Sequence, residues 1–433
     1  MAAGPRGRDP ARRRQEGGLT VGYDVQPFQV HIPDADLADL RERLERTRFP
    51  QDFGNDDWRY GYNTSYHREL VRYWLDEYDW RDVERRMNQL PQFKVDLMGV
   101  PLHFVHVKGR GKNPSVPLLL HHGWPWTFWD VRKVIGPLTD PAAHGLDDSL
   151  SFDVVLISLP GYGFSSPLTD TGWNWWRTAD LENTLMKEVL GYERYATAGG
   201  DWGALVAQQH GHKYEDDLIG VYTHFPAQMS HYLPEHPDAP ASVQYDPLLG
   251  LPAASEYGEG EEGWFERGKL FVQHESGYGE IQLTKPQTLA ALFADSPAGQ
   301  LAWITEKRYF WGLAERGEGT ERFEAVWPKE DLVTTAAVYF LTNTGGTSSR
   351  YYWECRGNPW KPSHDRFPVV GAPTAVSIYP GEIYKPPRTF TEAYFNLQQY
   401  RVHDDGGHFA PLEVPDTYVR DVRDFFGSLV QQG

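Results

Sequence analysis

Between Pro33 and Leu44 the chain sets Leu37, Leu40 and Leu44 at helical spacing with charges between them, which predicts an amphipathic helix. The same period runs through Tyr66, Leu70 and Trp74, and again from Trp80 to Leu90, without gathering any reactive set of side chains. These segments read as packing and wrapping material. From His103 the period changes. His103 to Val107, Pro117 to His122 and Asp153 to Leu159 read as strands, the latter two as unbroken apolar runs of the kind buried on both faces of a parallel sheet. Strands alternating with helical segments predict an α/β fold with a mostly parallel sheet, and place functional loops at the strands' carboxyl ends. Between about Pro226 and Trp360 the pattern shifts to Pro, Gly, acidic and aromatic residues with helical stretches such as Gln300 to Phe310, which reads as an inserted helical cap. Strand character resumes at Thr374 to Tyr379 and Leu397 to His403. A closing helix, Pro415 to Val430, lines Tyr418, Val422, Phe425 and Leu429 along one face. The expected divisions are a disordered tail (1–20), an N-terminal wrapping segment (21–98), a core in two parts (99–225 and 361–433) and the cap (226–360).

Composition narrows the function. A formal charge of -18 argues against nucleic-acid partners and anionic membrane surfaces, and leaves a small neutral substrate as the better fit. A lone cysteine, Cys355, excludes an intrachain disulfide, and no Cys/His group has zinc spacing. No apolar run approaches the ~18 residues of a membrane span. The expectation is a cytoplasmic enzyme without metal or cofactor, its oligomeric state open with a homodimer as one option. Gly161-x-Gly163 lacks the third glycine of a dinucleotide site.

The chemistry centres on Gly199-Gly200-Asp201-Trp202-Gly203. A β-prone run leads into it and a helix-compatible run leads out, so it reads as a sharp strand-to-helix turn in which Gly199 and Gly203 come too close for side chains. That is a nucleophile elbow with Asp at its apex. A serine attacking an epoxide would form an ether that water cannot readily cleave. A carboxylate forms an ester, which activated water can hydrolyse. His408, in Gly406-Gly407-His408, is the expected water-activating base ahead of His403, with Glu382 at a strand end chosen over Asp404 and Asp405 to orient it. Backbone amides of Trp124, in His122-Gly123-Trp124-Pro125, and of Trp202 are expected to hold the oxyanion. Opening an epoxide also needs a proton donor, and tyrosine, with a pKa of roughly 10, stays protonated at neutral pH. Tyr278 and one of Tyr351 or Tyr352 stand out in the cap. Tyr351 and Trp175 are further expected in the substrate-binding wall.

Taken jointly, several motifs resemble the microsomal-type epoxide hydrolases, the branch that includes insect juvenile-hormone epoxide hydrolases. They are Trp58-Arg59-Tyr60-Gly61, Asn88 to Lys94, His122-Gly123-Trp124-Pro125, Gly200-Asp201-Trp202-Gly203, Asp295 to Gly299 and Gly406-Gly407-His408-Phe409. The resemblance spans nearly the whole chain from about Tyr23. It implies an α/β-hydrolase core with a helical cap and an N-terminal segment wrapping onto both. By motif position it implies Asp201 as nucleophile, His408 as base, Glu382 as acid, and Tyr278 and Tyr352 as proton donors, with Tyr351 leaving a one-residue ambiguity. The expected reaction converts an apolar epoxide and water to a vicinal diol, in detoxification or aromatic-hydrocarbon catabolism. A haloalkane dehalogenase with the same Asp chemistry and a non-catalytic lipophilic-ligand binder are the competing readings. A departing halide needs no proton, so the tyrosines favour the epoxide.

Overall fold

The computed structural model describes residues 22–55, 57–229, 245–246, 250–312 and 319–431. The expected tail, 1–20, lies outside the described residues. Nine strands form one sheet: β1 (Gln26–Phe28), β2 (Gln92–Leu97), β3 (Val100–Val107), β4 (Val116–His121), β5 (Phe152–Ile157), β6 (Tyr195–Gly199), β7 (Leu218–Thr223), β8 (Val370–Ile378) and β9 (Phe395–Val402). Their order is β1-β2-β3-β5-β4-β6-β7-β8-β9. Pairing is antiparallel from β1 through β2 and β3 to β5, and parallel across the rest. Strand β4 lies at the centre, with Leu118 opposite both Val154 of β5 and Ala196 of β6. Parallel strands end on the same edge, so the loops after His121, Ile157, Gly199, Ile378 and Val402 all open there.

Three strands depart from the sequence reading. β1 and β2 are short and partly polar, with Lys94 and Asp96 in β2, and are held by antiparallel pairing rather than by burial on both faces. β7 follows three acidic residues and is interrupted by Gly220, which masks its apolar run. That glycine is required: a Cβ there would lie 2.9 Å from the Pro373 carbonyl oxygen and 3.0 Å from Leu429.

Between β7 and β8 the described residues are mainly helical, including Gly277–Thr284, Pro286–Asp295, Pro297–Trp311, Lys329–Leu341 and Gly345–Gly357. The Pro297–Trp311 helix begins as its sequence dictates, with Pro at the first turn and the Ser296 side chain accepting from the Gly299 amide. The N-terminal segment is fastened to these helices. The Trp58 ring stacks on Tyr309 at 4.0 Å and 4° between planes, Arg43 pairs with Asp295 at 2.8 Å, and Arg86 pairs with Glu330 at 2.7 Å. Among the described residues, no helix is long and apolar enough to cross a membrane.

Trp58 is buried, and its backbone adopts a left-handed φ of 63°. The surrounding contacts hold a conformation that costs a bulky residue energy. Trp58→Ala is expected to lower unfolding free energy by about 3–5 kcal/mol, the range for emptying a large aromatic site. Urea denaturation measures it, and a loss under about 1 kcal/mol would mean that the stacked pair does not tie the segment down.

Candidate active site

Asp201 is the first residue of the helix Asp201–Lys213, immediately after β6 and Gly200, with φ at 51°. The left-handed backbone lifts its side chain out of the turn, and glycines make the turn feasible. A Cβ on Gly199 would lie 2.5 Å from the Gly203 carbonyl oxygen, and one on Gly203 would lie 2.5 Å from the His121 Cβ. A Cβ on Gly123 would meet the Asp201 side chain itself at 2.4 Å. The loop after β4 therefore presses directly on the elbow, and the Trp124 amide donates to Asp201 Oδ1 at 2.7 Å. Trp202, the second expected amide, is the next residue of the same helix.

His408 faces the other oxygen. Its Nε2 lies 3.3 Å from Asp201 Oδ2, without the alignment of a hydrogen bond, and its Nδ1 is 2.6 Å from Glu382 Oε1. Because that oxygen belongs to a carboxylate, Nδ1 carries the hydrogen. The Ile383 amide also donates to Glu382 Oε1 at 2.7 Å, and the His408 amide donates to the Trp311 carbonyl at 3.1 Å, so the Glu382 side chain and the His408 backbone are both held by main-chain groups. Burial alone would lower the imidazole pKa. Glu382 and Asp201 overcome that and raise it to about 9.

Two buried phenols stand close enough to feel the carboxylate charge. The Tyr278 ring stacks on the Trp124 indole at 5.0 Å and 7°, and the Tyr352 ring packs edge-on against Trp124 and Trp202. A hydrogen bond joins the two phenol side chains, and both are pushed above the ordinary tyrosine range, by burial first and by the Asp201 charge after it. They are protonated, so they can donate.

A family model for the epoxide hydrolase N terminus matches residues 25–131, and one for the alpha/beta hydrolase fold matches residues 116–240. Epoxide hydrolase 1 of Oryctolagus cuniculus is 34% identical over 432 residues, covering 96% of this chain and 92% of that protein. The chain belongs to the epoxide hydrolase family. Juvenile hormone epoxide hydrolase 2 of Ctenocephalides felis is 30% identical, covering 93% of this chain and 85% of that relative. Among solved structures of the family, the Aspergillus niger epoxide hydrolase superposes with a TM-score of 0.78 at 26% identity, covering 95% of this chain and 98% of that one. The juvenile hormone epoxide hydrolase of Bombyx mori gives 0.77 at 27% identity, covering 98% and 97%.

Other expected residues lie elsewhere. The Tyr351 hydroxyl is turned to Thr178 Oγ1 at 3.0 Å, and its ring meets Tyr162 and Trp202. Trp175 is buried against Trp176 and Trp360, at 4.8 and 5.4 Å between ring centroids, a core environment rather than a wall beside Asp201. His403 is taken by Asp421 at 2.6 Å, and Asp404 and Asp405 are exposed. A cavity of about 540 Å³ reaches Tyr278 between Thr47–Pro50 and Tyr60–Tyr62 of the N-terminal segment and the Pro297–Trp311 helix. A larger surface groove of about 990 Å³, beside Asn113 and Arg423, contains none of these side chains.

Supporting residues went unread in the sequence. Arg308, buried, donates to the Pro125 carbonyl at 2.9 Å and to Asp130 Oδ1 at 2.8 Å, and Tyr339 donates to the Trp126 carbonyl at 2.8 Å, so the loop carrying Trp124 is held from two helices. Charged residues on a helix read as solvated surface, which hides Arg308. Beneath the elbow, His121, Glu182 and His210 have ligand atoms within 4.8 Å of one another. Glu182 Oε2 already joins His121 Nε2 at 2.7 Å and His210 Nε2 at 3.0 Å, while the Nδ1 atoms meet the Ala198 carbonyl and the Tyr195 hydroxyl. The cluster is a polar brace across β4, β6 and the helix behind the nucleophile.

Since the folded-state pKa of His408 is raised above its ordinary value of 6.5, its stabilising contribution is complete below 6.5 and lost as pH rises through about 9. Asp201→Asn removes one of the two raising charges. The fall in melting temperature between pH 6 and pH 9.5 is therefore expected to be smaller in Asp201→Asn than in the wild type, measured by calorimetry. Equal falls would show that Asp201 does not hold the proton on His408.

Proposed function

We propose that the protein hydrolyses an apolar epoxide to a vicinal diol through an ester on Asp201. The observation that carries this reading is the division of labour at that carboxylate: Oδ1 is held by the Trp124 amide, which leaves Oδ2 to attack, with His408 3.3 Å from Oδ2 and two protonated phenols close enough to feel the carboxylate charge. Oδ2 displaces the epoxide oxygen from carbon. The electron pair of the broken C–O bond takes a proton from Tyr278 or Tyr352, giving a hydroxyl group. A phenol remains a stronger acid than the resulting alcohol, so the transfer runs downhill.

The second step follows from charge. In the free enzyme the imidazolium pairs with Asp201, which keeps the carboxylate ionised and in place. Esterification removes that charge, leaving one of the two influences that raise the His408 pKa. The proton becomes easier to release and makes good the one the phenol gave up, and the imidazole becomes a base when one is needed. Water activated by His408 attacks Asp201 Cγ, negative charge collects on Oδ1, and the Trp124 amide receives it. As the Cγ–O bond to the former Oδ2 breaks, that oxygen takes back the proton His408 drew from water and leaves in the diol. One water oxygen stays in Asp201, and the new carboxyl group gives its remaining proton to His408. Trp124, Trp202 and Trp311 pack their rings against the phenols and the imidazole, which supports an apolar substrate. A dehalogenase has no use for two phenols at this position, so that alternative is not favoured.

A single turnover of styrene oxide in ¹⁸O-water is expected to leave the label in the peptide containing Asp201, read by mass spectrometry, and Asp201→Ala is expected to abolish turnover. Label found in the diol alone would exclude the ester. Tyr278→Phe combined with Tyr352→Phe is expected to slow ester formation by about 10²–10⁴-fold, the usual span for a lost general acid. Stopped-flow tryptophan fluorescence follows that step, and an unchanged rate would remove the phenols from the mechanism.

A further inference from the structure

Lys307 is 4% exposed and takes no part in the steps above. It sits on the Pro297–Trp311 helix and lines the 540 Å³ cavity, as Tyr278 does. Its Nζ is 4.9 Å from the centroid of the Tyr278 ring, 5.3 Å from Trp303 and 5.9 Å from Trp311, all within the ~6 Å reach of a cation–π contact. Among the described residues its ion-pair partner is the neighbouring Glu306. An ammonium withdrawn from water needs compensation. Here one carboxylate and three ring faces supply it, and the nearest of those rings belongs to a proton donor.

We propose that Lys307 is a positioning residue for proton donation by Tyr278: its ammonium steadies the ring that stacks on Trp124 and stabilises the negative charge spreading into that ring as the phenolic proton leaves. The inference rests on the reading of Tyr278 as a donor. In the step concerned, the Tyr278 O–H bond breaks, its proton goes to the epoxide oxygen, and its electron pair stays on the phenolate. The carboxylates that act on Tyr278 oppose that event. Burial holds its pKa up, and Asp201 and Glu306 add to the effect. Glu275, in the same cavity, is paired with Arg267 at 3.2 Å, and Tyr352, the remaining neighbour, is neutral and hydrogen-bonded. Lys307 is the cation placed over the ring itself.

The test separates the two chemical steps by single-turnover fluorescence, since a residue acting through Tyr278 touches ester formation and leaves ester hydrolysis alone. Lys307→Met is expected to slow ester formation about tenfold, within the range of a desolvated cation–π contact, with hydrolysis unchanged. Lys307→Arg is expected to restore most of the rate, because a guanidinium serves the same ring. In a Tyr278→Phe background, where Tyr352 carries the residual reaction, Lys307→Met is expected to have no effect on ester formation. Lys307→Gln gives the same pattern should the Met variant not fold. Equal slowing in both backgrounds, or equal slowing of both steps, overturns the inference and leaves Tyr278 as donor intact. Wild-type ester formation in Tyr278→Phe overturns the Tyr278 reading instead, and the inference with it.

Discussion

One imidazole has to serve two carboxylates in a place closed to bulk water. Asp201, Glu382 and His408 are all buried, and an unpaired charge among them would be costly. The arrangement holds because every group has a fixed neighbour: the Trp124 amide on Asp201, the Ile383 amide on Glu382, and Glu382 on the His408 ring. These neighbours come from distant stretches of chain, and only a sheet whose strands finish at one edge brings them together. The dry surroundings also make the chemistry sequential. A single charge change at Asp201 is felt strongly by His408 because little solvent is present to screen it.

What was legible in the sequence was local. Gly199 and Gly203 around Asp201, the His122-Gly123-Trp124-Pro125 loop and Gly406-Gly407-His408 are short stretches whose conformation follows from missing Cβ atoms and strand ends, and the structure brings all three together. What was hidden depended on how elements pack. Tyr351 and Tyr352 are consecutive on one helix and so point about 100° apart. Which of them meets Tyr278 is set by the rotation of that helix against the core, a quantity no run of residues carries. Trp175 failed for the same reason. A tryptophan is equally at home in a core and beside a ligand, and here Trp176 and Trp360 claim it. The strand Leu218–Thr223 was obscured by Gly220, a residue present for its smallness against Pro373 and Leu429 rather than for any strand preference.

Three side chains and one backbone carbonyl within five residues of the Pro297–Trp311 helix reach four different parts of the molecule. Lys307 lies over Tyr278, Arg308 grips Pro125 and Asp130, Tyr309 stacks on Trp58, and the Trp311 carbonyl receives the His408 amide. This one stretch is thus a shared inheritance of the N-terminal segment, the Trp124 loop, Tyr278 and His408. Exchanging the helices between β7 and β8 among relatives would cut through it, so a chimaera must carry this helix together with its N-terminal partner, and diversification is freer in those cavity-wall residues that face neither.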